Sequence, residues 1–382
     1  MTPDAAPAPL LCVVGARPNF MKMAPILRAL SRLRIPWQLV HTGQHYDVRM
    51  NQRFFEQLAI PRPDMDLEVG SASHAQQTAE IMRRFEPLVD SSGAGAVLVV
   101  GDVNSTIACA LVAAKKGLKV IHVEAGLRSF DRRMPEEINR VLTDQLSDLL
   151  FTTEREALEN LRREGIDAGR VHFVGNVMID TLRHSLEQAV PPATVLAGVD
   201  EAPRLLQGYG LLTLHRPANV DDPAVLRSLL ETLADLSRRL PLVFPVHPRT
   251  RAMLQRHGLE GLLAAGRVVQ LEPLGYLEML GLMARARLVL TDSGGIQEET
   301  TALGVPCITL RDNTERPITV HQGTNTVVGR DPARIRSVFL DILESGGKAG
   351  NIPEYWDGQA AGRIAEILAR WLPPSSHSGD TP

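Results

Sequence analysis

The chain is poor in the residues that staple, anchor or ligate. Only three cysteines, Cys12, Cys109 and Cys307, occur in 382 residues. They are scattered, with neither pairing nor metal-ligand spacing, and each sits in an apolar run. Buried, reduced thiols in a reducing compartment follow, and with them a cytoplasmic location. No apolar stretch approaches the roughly twenty residues that cross a bilayer, so no membrane insertion is expected. The N-terminal segment lacks a basic region followed by an apolar core, the mark of a secretory leader. Net charge is only −3, which advertises no basic face for nucleic acid.

Several cofactor signatures are also missing. The first strand-to-helix turn is Gly15-Ala-Arg-Pro-Asn, not G-x-G-x-x-G, so a nicotinamide cofactor has no fingerprint. There is no Gly-Lys-Ser/Thr loop for a nucleoside triphosphate and no G-x-S-x-G elbow for a serine hydrolase. His215 and His247 lie outside any H-E-x-x-H motif. Neither a metal nor a cofactor is expected.

What is present is a regular alternation of apolar runs with amphipathic helical runs. Strands are expected at Leu10–Val14, Trp37–His41, Ala96–Val100, Lys119–Val123 and Leu149–Thr152. A second set is expected at Gly210–Leu214, Leu242–Val246, Arg267–Leu271, Arg287–Thr291 and Pro306–Leu310. Helical patterns lie between them, as at Met21–Leu33, Ser105–Lys116, Glu136–Leu146 and Gln297–Leu303. The runs are continuously apolar, as parallel strands covered on both faces should be. The fold class is therefore α/β, with parallel sheets in two halves of similar length. The proline-rich stretch Ala189–Pro203 suggests a border. The expected domains are 10–180 and 204–355, with a closing helical segment at 356–372 and disordered tails at 1–9 and 373–382. Pattern alone leaves open which half that last helix joins.

The unusual polar residues fall just past predicted strand ends. Arg17 follows the first strand, and Gln44 and His45 the second. Asp102 follows Leu98-Val-Val-Gly, and Glu124 follows Val120-Ile-His-Val. In the second half His215 and Arg216 follow Leu211-Leu-Thr-Leu, and His247 follows Val243-Phe-Pro-Val. Ligands of open α/β sheets bind at these carboxyl ends. Each residue also has a plain structural reading. Asp102 suits a helix-cap turn, Glu124 an ion pair with Arg128 or Arg140, and Arg140 a helical pair with Glu136 four residues earlier. Leu288-Val-Leu-Thr-Asp-Ser-Gly-Gly-Ile-Gln-Glu-Glu299 reads as a buried strand entering a helix N-terminus. Such a terminus offers free N–H groups to an anion. Gly294 and Gly295 leave room for a phosphate, and Glu299 suits sugar or ribose hydroxyls. The alternative is that Ser293 merely caps the helix.

Taken in order, these blocks resemble the non-hydrolysing UDP-N-acetylglucosamine 2-epimerases, from about Leu11 to about Trp371. The motifs are Gly15-Ala-Arg-Pro-Asn-Phe-Met-Lys22, Thr42-Gly-Gln-His-Tyr46, Gly101-Asp102, His122-Val-Glu-Ala-Gly-Leu-Arg128, Pro135-Glu-Glu-Ile-Asn-Arg140, His215-Arg216, Asp292-Ser-Gly-Gly-Ile-Gln-Glu-Glu299 and Thr314-Glu-Arg-Pro317. The resemblance implies a GT-B arrangement of two facing Rossmann-like domains with the active site in the cleft between them. It implies a UDP-sugar substrate, no cofactor, and a homodimer. By motif position Asp102, Glu124 and Glu136 are the acid/base carboxylates, with His215 beside the diphosphate. Arg17, Lys22, Arg140, Leu274 and Arg316 join Ser293, Gly294, Gly295 and Glu299 in binding the substrate. Regulated members bind a second UDP-sugar. Here Gln44, Arg216 and His247 suit such a site, but Asp47 replaces an expected amide and Val69–His74 lacks an arginine, so a weak or absent second site is expected. Asn19 stands where many members have glutamate and is given no role.

Overall fold

Runs of branched apolar residues become the strands of two parallel sheets, one in each of two contact units. In a computed structural model that describes residues 8–44 and 55–372, the units are residues 1–181 with 354–382, and residues 182–353. The expected tail at 373–382 and positions 1–7 of the other lie outside the described residues. So do His45, Tyr46, Asp47 and the side chain of Arg17.

In the first unit the strands are β1 (Leu10–Val14), β2 (Trp37–His41), β3 (Met65–Asp66), β4 (Ala96–Val100), β5 (Lys119–Ala125), β6 (Leu149–Thr152) and β7 (Val171–Phe173). Their order is β3-β2-β1-β4-β5-β6-β7, and every pairing is parallel. β1 and β4 are buried along their whole length, which accounts for their unbroken Leu, Val, Cys and Ala content. The crossing helices are α1 (Arg17–Arg32), α2 (His74–Ser92), α3 (Asn104–Lys115), α4 (Pro135–Leu146) and α5 (Arg155–Arg163). α2 starts at Ser73, whose hydroxyl accepts from Gln76 N, and buries Gln77, Ile81, Phe85 and Val89, a stripe spaced every four residues. α4 starts on Pro135, which suits a first helical position because its nitrogen has no hydrogen to leave unpaired.

The C-terminal helix, Ala360–Trp371, belongs to this unit. It packs on α1 through a face that includes Ala361, Ile364, Ala365 and Leu368. Asp180 caps it from a distance, accepting from Ala360 N at 3.1 Å and Ala361 N at 2.8 Å. Burial pushes the Asp180 carboxyl up to about 6 despite those two donors.

The second unit carries β8 (Gly210–Thr213), β9 (Leu242–Pro245), β10 (Val268–Leu271), β11 (Leu288–Thr291), β12 (Cys307–Thr309) and β13 (Asn325–Val327). The order is β10-β9-β8-β11-β12-β13, again all parallel. Its longer helices are α6 (Pro223–Leu236), α7 (Pro248–His257), α8 (Tyr276–Arg285), α9 (Gly294–Leu303) and α10 (Pro332–Ser345). Asp222 and Asp331 cap α6 and α10, each just ahead of a proline.

The structure differs from the sequence reading at sheet edges. β3, β7 and β13 were not expected, and all three are edge strands of two or three residues. A strand covered on fewer sides needs no long apolar run, so it leaves little pattern. β5 runs to Ala125, which puts Glu124 inside a strand rather than past its end.

The stretch Ala189–Pro203 forms no strand. Val190 N donates to Leu277 O at 3.0 Å, and a Cβ on Gly281 would fall 1.8 Å from Val190 O. Backbone meets backbone there, so no side chain can yield. Gly281→Ala is expected to cost about 1–3 kcal/mol by overpacking. Urea unfolding would read this as a lowered midpoint; an unchanged midpoint would show that the Val190 segment is free to move.

Candidate active site

Both sheets reverse their strand order once, between β1 and β4 and between β8 and β11. The ligand crevice of an open parallel sheet opens at such points. The segments that carry Asn19, Asp102, His215 and Asp292 leave the strands on either side of those points.

In the first unit, Asn19 ties the two strand ends together. Its Oδ1 accepts from Gly15 N and Ala16 N at 3.1 and 3.0 Å, and its Nδ2 donates to Val100 O at 2.9 Å. That gives a role to a residue the sequence reading set aside. Lys22, nearly buried, places Nζ 2.6 Å from Glu124 Oε1. Glu124 has φ +73° and lies where the β5–β6 register shifts, so a bulge aims its side chain. Gly101, with φ +67°, makes the turn out of β4; a Cβ there would lie 2.9 Å from Lys22 Nζ. Next to it, Asp102 Oδ2 pairs with Arg140 Nη2 at 2.5 Å and Nε at 3.2 Å. Glu136 is the second residue of α4 and is half-buried.

Two of the plain structural readings are corrected. Arg140 meets Glu137, at 2.6 Å, rather than Glu136. The three-residue spacing brings Glu137 onto the buried face of α4, where it also accepts from Ser129 N, Ser129 Oγ and Phe130 N. Glu124 meets Lys22, because Arg128 is taken by Asp144 and Glu164 at 2.7 and 2.5 Å. Gln44 Oε1 accepts from Ser105 N and Ser105 Oγ at 3.1 and 2.7 Å, which turns its amide oxygen onto the start of α3.

In the second unit the organising group is Asp292, a fully buried carboxylate that the sequence reading passed over. It accepts from His215 N, Arg216 N and Asn219 Nδ2, and lies 2.9 Å from His215 Nδ1. Burial raises its carboxyl, but the charge and hydrogen bonds of His215 and the two backbone donors outweigh this and hold it below the usual range. The His215 and His247 rings are 5.4 Å apart, and His247 caps α7 by accepting from Arg249 N. Ser293 occupies the N-cap position of α9 but makes no side-chain cap, so the first-turn N–H groups at Gly294 and Gly295 are not taken by it. A Cβ on Gly294 would lie 2.6 Å from Glu315 Oε1. Glu315 in turn pairs with Arg311 at 2.7 Å and Arg216 at 3.6 Å. Arg316 forms a buried pair with Glu298 at 2.8 Å. Leu274 is half-buried ahead of α8.

A family model described as UDP-N-acetylglucosamine 2-epimerase matches residues 28–369. A UDP-N-acetylglucosamine 2-epimerase of Methanococcus maripaludis is 40% identical, over 93% of this chain and 97% of its own length. A UDP-2,3-diacetamido-2,3-dideoxy-D-glucuronate 2-epimerase of Pseudomonas aeruginosa is 42% identical, over 94% and 99%. The crystal structure of Methanocaldococcus jannaschii UDP-GlcNAc 2-epimerase with UDP-GlcNAc and UDP superposes with a TM-score of 0.85 at 40% identity, covering 94% of this chain and 99% of that one. The chain belongs to the UDP-N-acetylglucosamine 2-epimerase family.

Within this epimerase, Glu299 shows a state that sequence does not reveal. It is buried in α9 and accepts from Tyr276 OH at 2.9 Å. Burial pushes its carboxyl up to about 8, the neighbouring Glu298 adding to the rise, so it holds a proton at neutral pH. A carboxyl raised on folding stabilises the fold most below its ordinary value of 4.5, and this contribution is lost as pH rises through about 8. Glu299→Gln, which mimics the protonated form, is expected to flatten stability between pH 4.5 and 8 and to be no less stable than wild type at pH 8. Urea midpoints across that range check this; a variant with the wild-type pH slope would refute it.

Proposed function

We propose that the chain inverts C2 of UDP-GlcNAc reversibly, giving UDP-ManNAc. The proton at C2 is not next to a carbonyl and is not acidic. The route is therefore elimination. The C1–O bond breaks with its electron pair leaving on the β-phosphate of UDP, C2 loses its proton to a carboxylate, and a C1=C2 double bond forms in 2-acetamidoglucal. Protonation of C2 on the opposite face and return of the UDP oxygen to C1 complete the inversion. Every proton and electron pair is accounted for without a redox cofactor.

The observation that carries this reading is the division of chemistry between the units. The first holds the proton-transfer set, Asp102, Glu124 and Glu136, with two of the three fixed by the cations Arg140 and Lys22. The second supplies an anion site at the start of α9, with His215 oriented by Asp292 to meet the diphosphate and Glu299 to meet the ribose. Arg17, Leu274 and Arg316 complete the substrate contacts in this reading. In this reading Gln44, Arg216 and His247 suit a second UDP-sugar site that is weak or absent. A cytoplasmic homodimer supplying a sugar for cell-surface polysaccharide suits the activity and the three buried free cysteines.

With UDP-GlcNAc as sole substrate in deuterated buffer, NMR is expected to show UDP-ManNAc appearing with deuterium at C2. Asp102→Asn, Glu124→Gln and Glu136→Gln should each lower kcat at least about a hundredfold while the protein stays folded. Near-normal turnover in all three would sink the assignment. The Pseudomonas aeruginosa relative favours a second reading, the same inversion on a UDP-2,3-diacetamido uronic acid. Turnover of that sugar and not of UDP-GlcNAc in a substrate panel would decide for it.

A further inference from the structure

Beneath Asp102, side chains hold the backbone as well as the carboxylate. His122, wholly buried in β5, lies with Nε2 2.8 Å from Gly101 O and Nδ1 2.7 Å from Asp144 Oδ1. A carbonyl oxygen only accepts, so Nε2 carries a proton. Asp144 Oδ2 already accepts from Gly126 N at 3.0 Å and Arg128 Nη2 at 2.7 Å. The Nδ1–Oδ1 contact needs a proton of its own. His122 is thus held between two fixed acceptors, one on the catalytic turn and one on α4. The next carbonyl is gripped too: Asn139 Nδ2 donates to Asp102 O at 2.9 Å. Gly101 N donates to Val123 O at 3.0 Å. The left-handed Gly101 turn would otherwise be a soft joint directly before Asp102. An apolar residue in place of His122 would fill the space but leave two buried acceptors without donors, a cost no packing need explains.

We infer that His122 is a positioning residue for Asp102: by pinning the Gly101 carbonyl to Asp144 and α4, it sets where the Asp102 carboxylate meets C2 of the sugar. The inference rests on the reading of Asp102 as a proton-transfer group. His122 itself touches neither substrate nor the reacting atoms.

The two halves of the imidazole are separable. In His122→Asn the amide nitrogen stands near the place of Nδ1 and reaches only Asp144. In His122→Gln it stands near the place of Nε2 and reaches the Gly101 carbonyl. Misplacing a reacting group by an ångström costs on the order of a hundredfold. His122→Asn is therefore expected to lose roughly ten- to a hundredfold in kcat, with KM for UDP-GlcNAc within about twofold of wild type. His122→Gln should recover most of the loss. An undiminished kcat in the Asn variant, equal losses in both variants, or a loss confined to KM would overturn the inference. Wild-type protein labelled with ¹⁵N-histidine gives a second reading that does not depend on the variants folding. The His122 ring should show a protected Nε2–H coupled to the Gly101 carbonyl; a bare or freely exchanging Nε2 would overturn it. If wild type itself puts no deuterium into C2 of UDP-GlcNAc, the proposed reaction falls, while the NMR result still decides whether His122 grips the turn.

Discussion

The first unit depends on one polar helix face. α4 buries Glu137, Asn139, Arg140, Thr143 and Asp144 together. Five polar residues turned inward from one helix would be ruinous if unmatched, since a buried charge without a partner costs several kcal/mol. Here most are matched outside the helix. Glu137 takes the Ser129–Phe130 turn, Asn139 and Arg140 take Asp102, and Asp144 takes His122, Gly126 and Arg128. The helix therefore cannot rotate or slide by one residue without orphaning several groups at once. Stability of the pairing and placement of the strand ends become the same requirement.

The second unit reaches a similar end with fewer parts. Asp292 directly follows β11 and binds the backbone of the neighbouring β8 loop, so the two strands flanking the switch point are locked by one carboxylate. His215 is fixed from both its backbone and its ring. Around Gly294 the arginines Arg216 and Arg311 do not face open solvent unopposed; Glu315 lies among them and is held ionised, its carboxyl well below the usual range because their charge outweighs its burial. A carboxylate in that place keeps a cluster of positive charge ordered at the start of α9.

Much of this was legible because parallel strands buried on both faces must be apolar throughout, and because chemistry at their ends then stands out. The strand ends at Asp102, His215 and Ser293 were read correctly for that reason. What stayed hidden is three-dimensional. Edge strands β3, β7 and β13 carry no long run. Glu124 lies one residue inside a bulge that no pattern announces. His122 and Asp144 read as an ordinary strand residue and an ordinary helix residue; only the fold shows them meeting. Asn19 looked dispensable because its task is to satisfy backbone groups, which composition never displays. The proton on Glu299 follows from burial beside Glu298, and burial at a helix start is not readable from a motif rich in polar residues.

The rigid frame also bears on how a carboxylate can act at C2 at all. No carboxylate removes so weakly acidic a hydrogen unaided. On the proposed route the help comes from C1: as the bond to UDP breaks, positive charge develops at C1 and the neighbouring C2–H becomes acidic. The help lasts only while that charge does. A base that had to swing into place would arrive too late, whereas one already held by a cation, as Asp102 is by Arg140 and Glu124 by Lys22, is in reach when the charge appears. On the proposed route the same timing places a demand on whatever holds the diphosphate. The departing diphosphate must be stabilised as it leaves and kept near C1 for its return, and fixed dipoles at a helix terminus do both without reorganising. On that route, charge separation at C1 and proton transfer at C2 are thus two halves of one event, and neither can be late for the other.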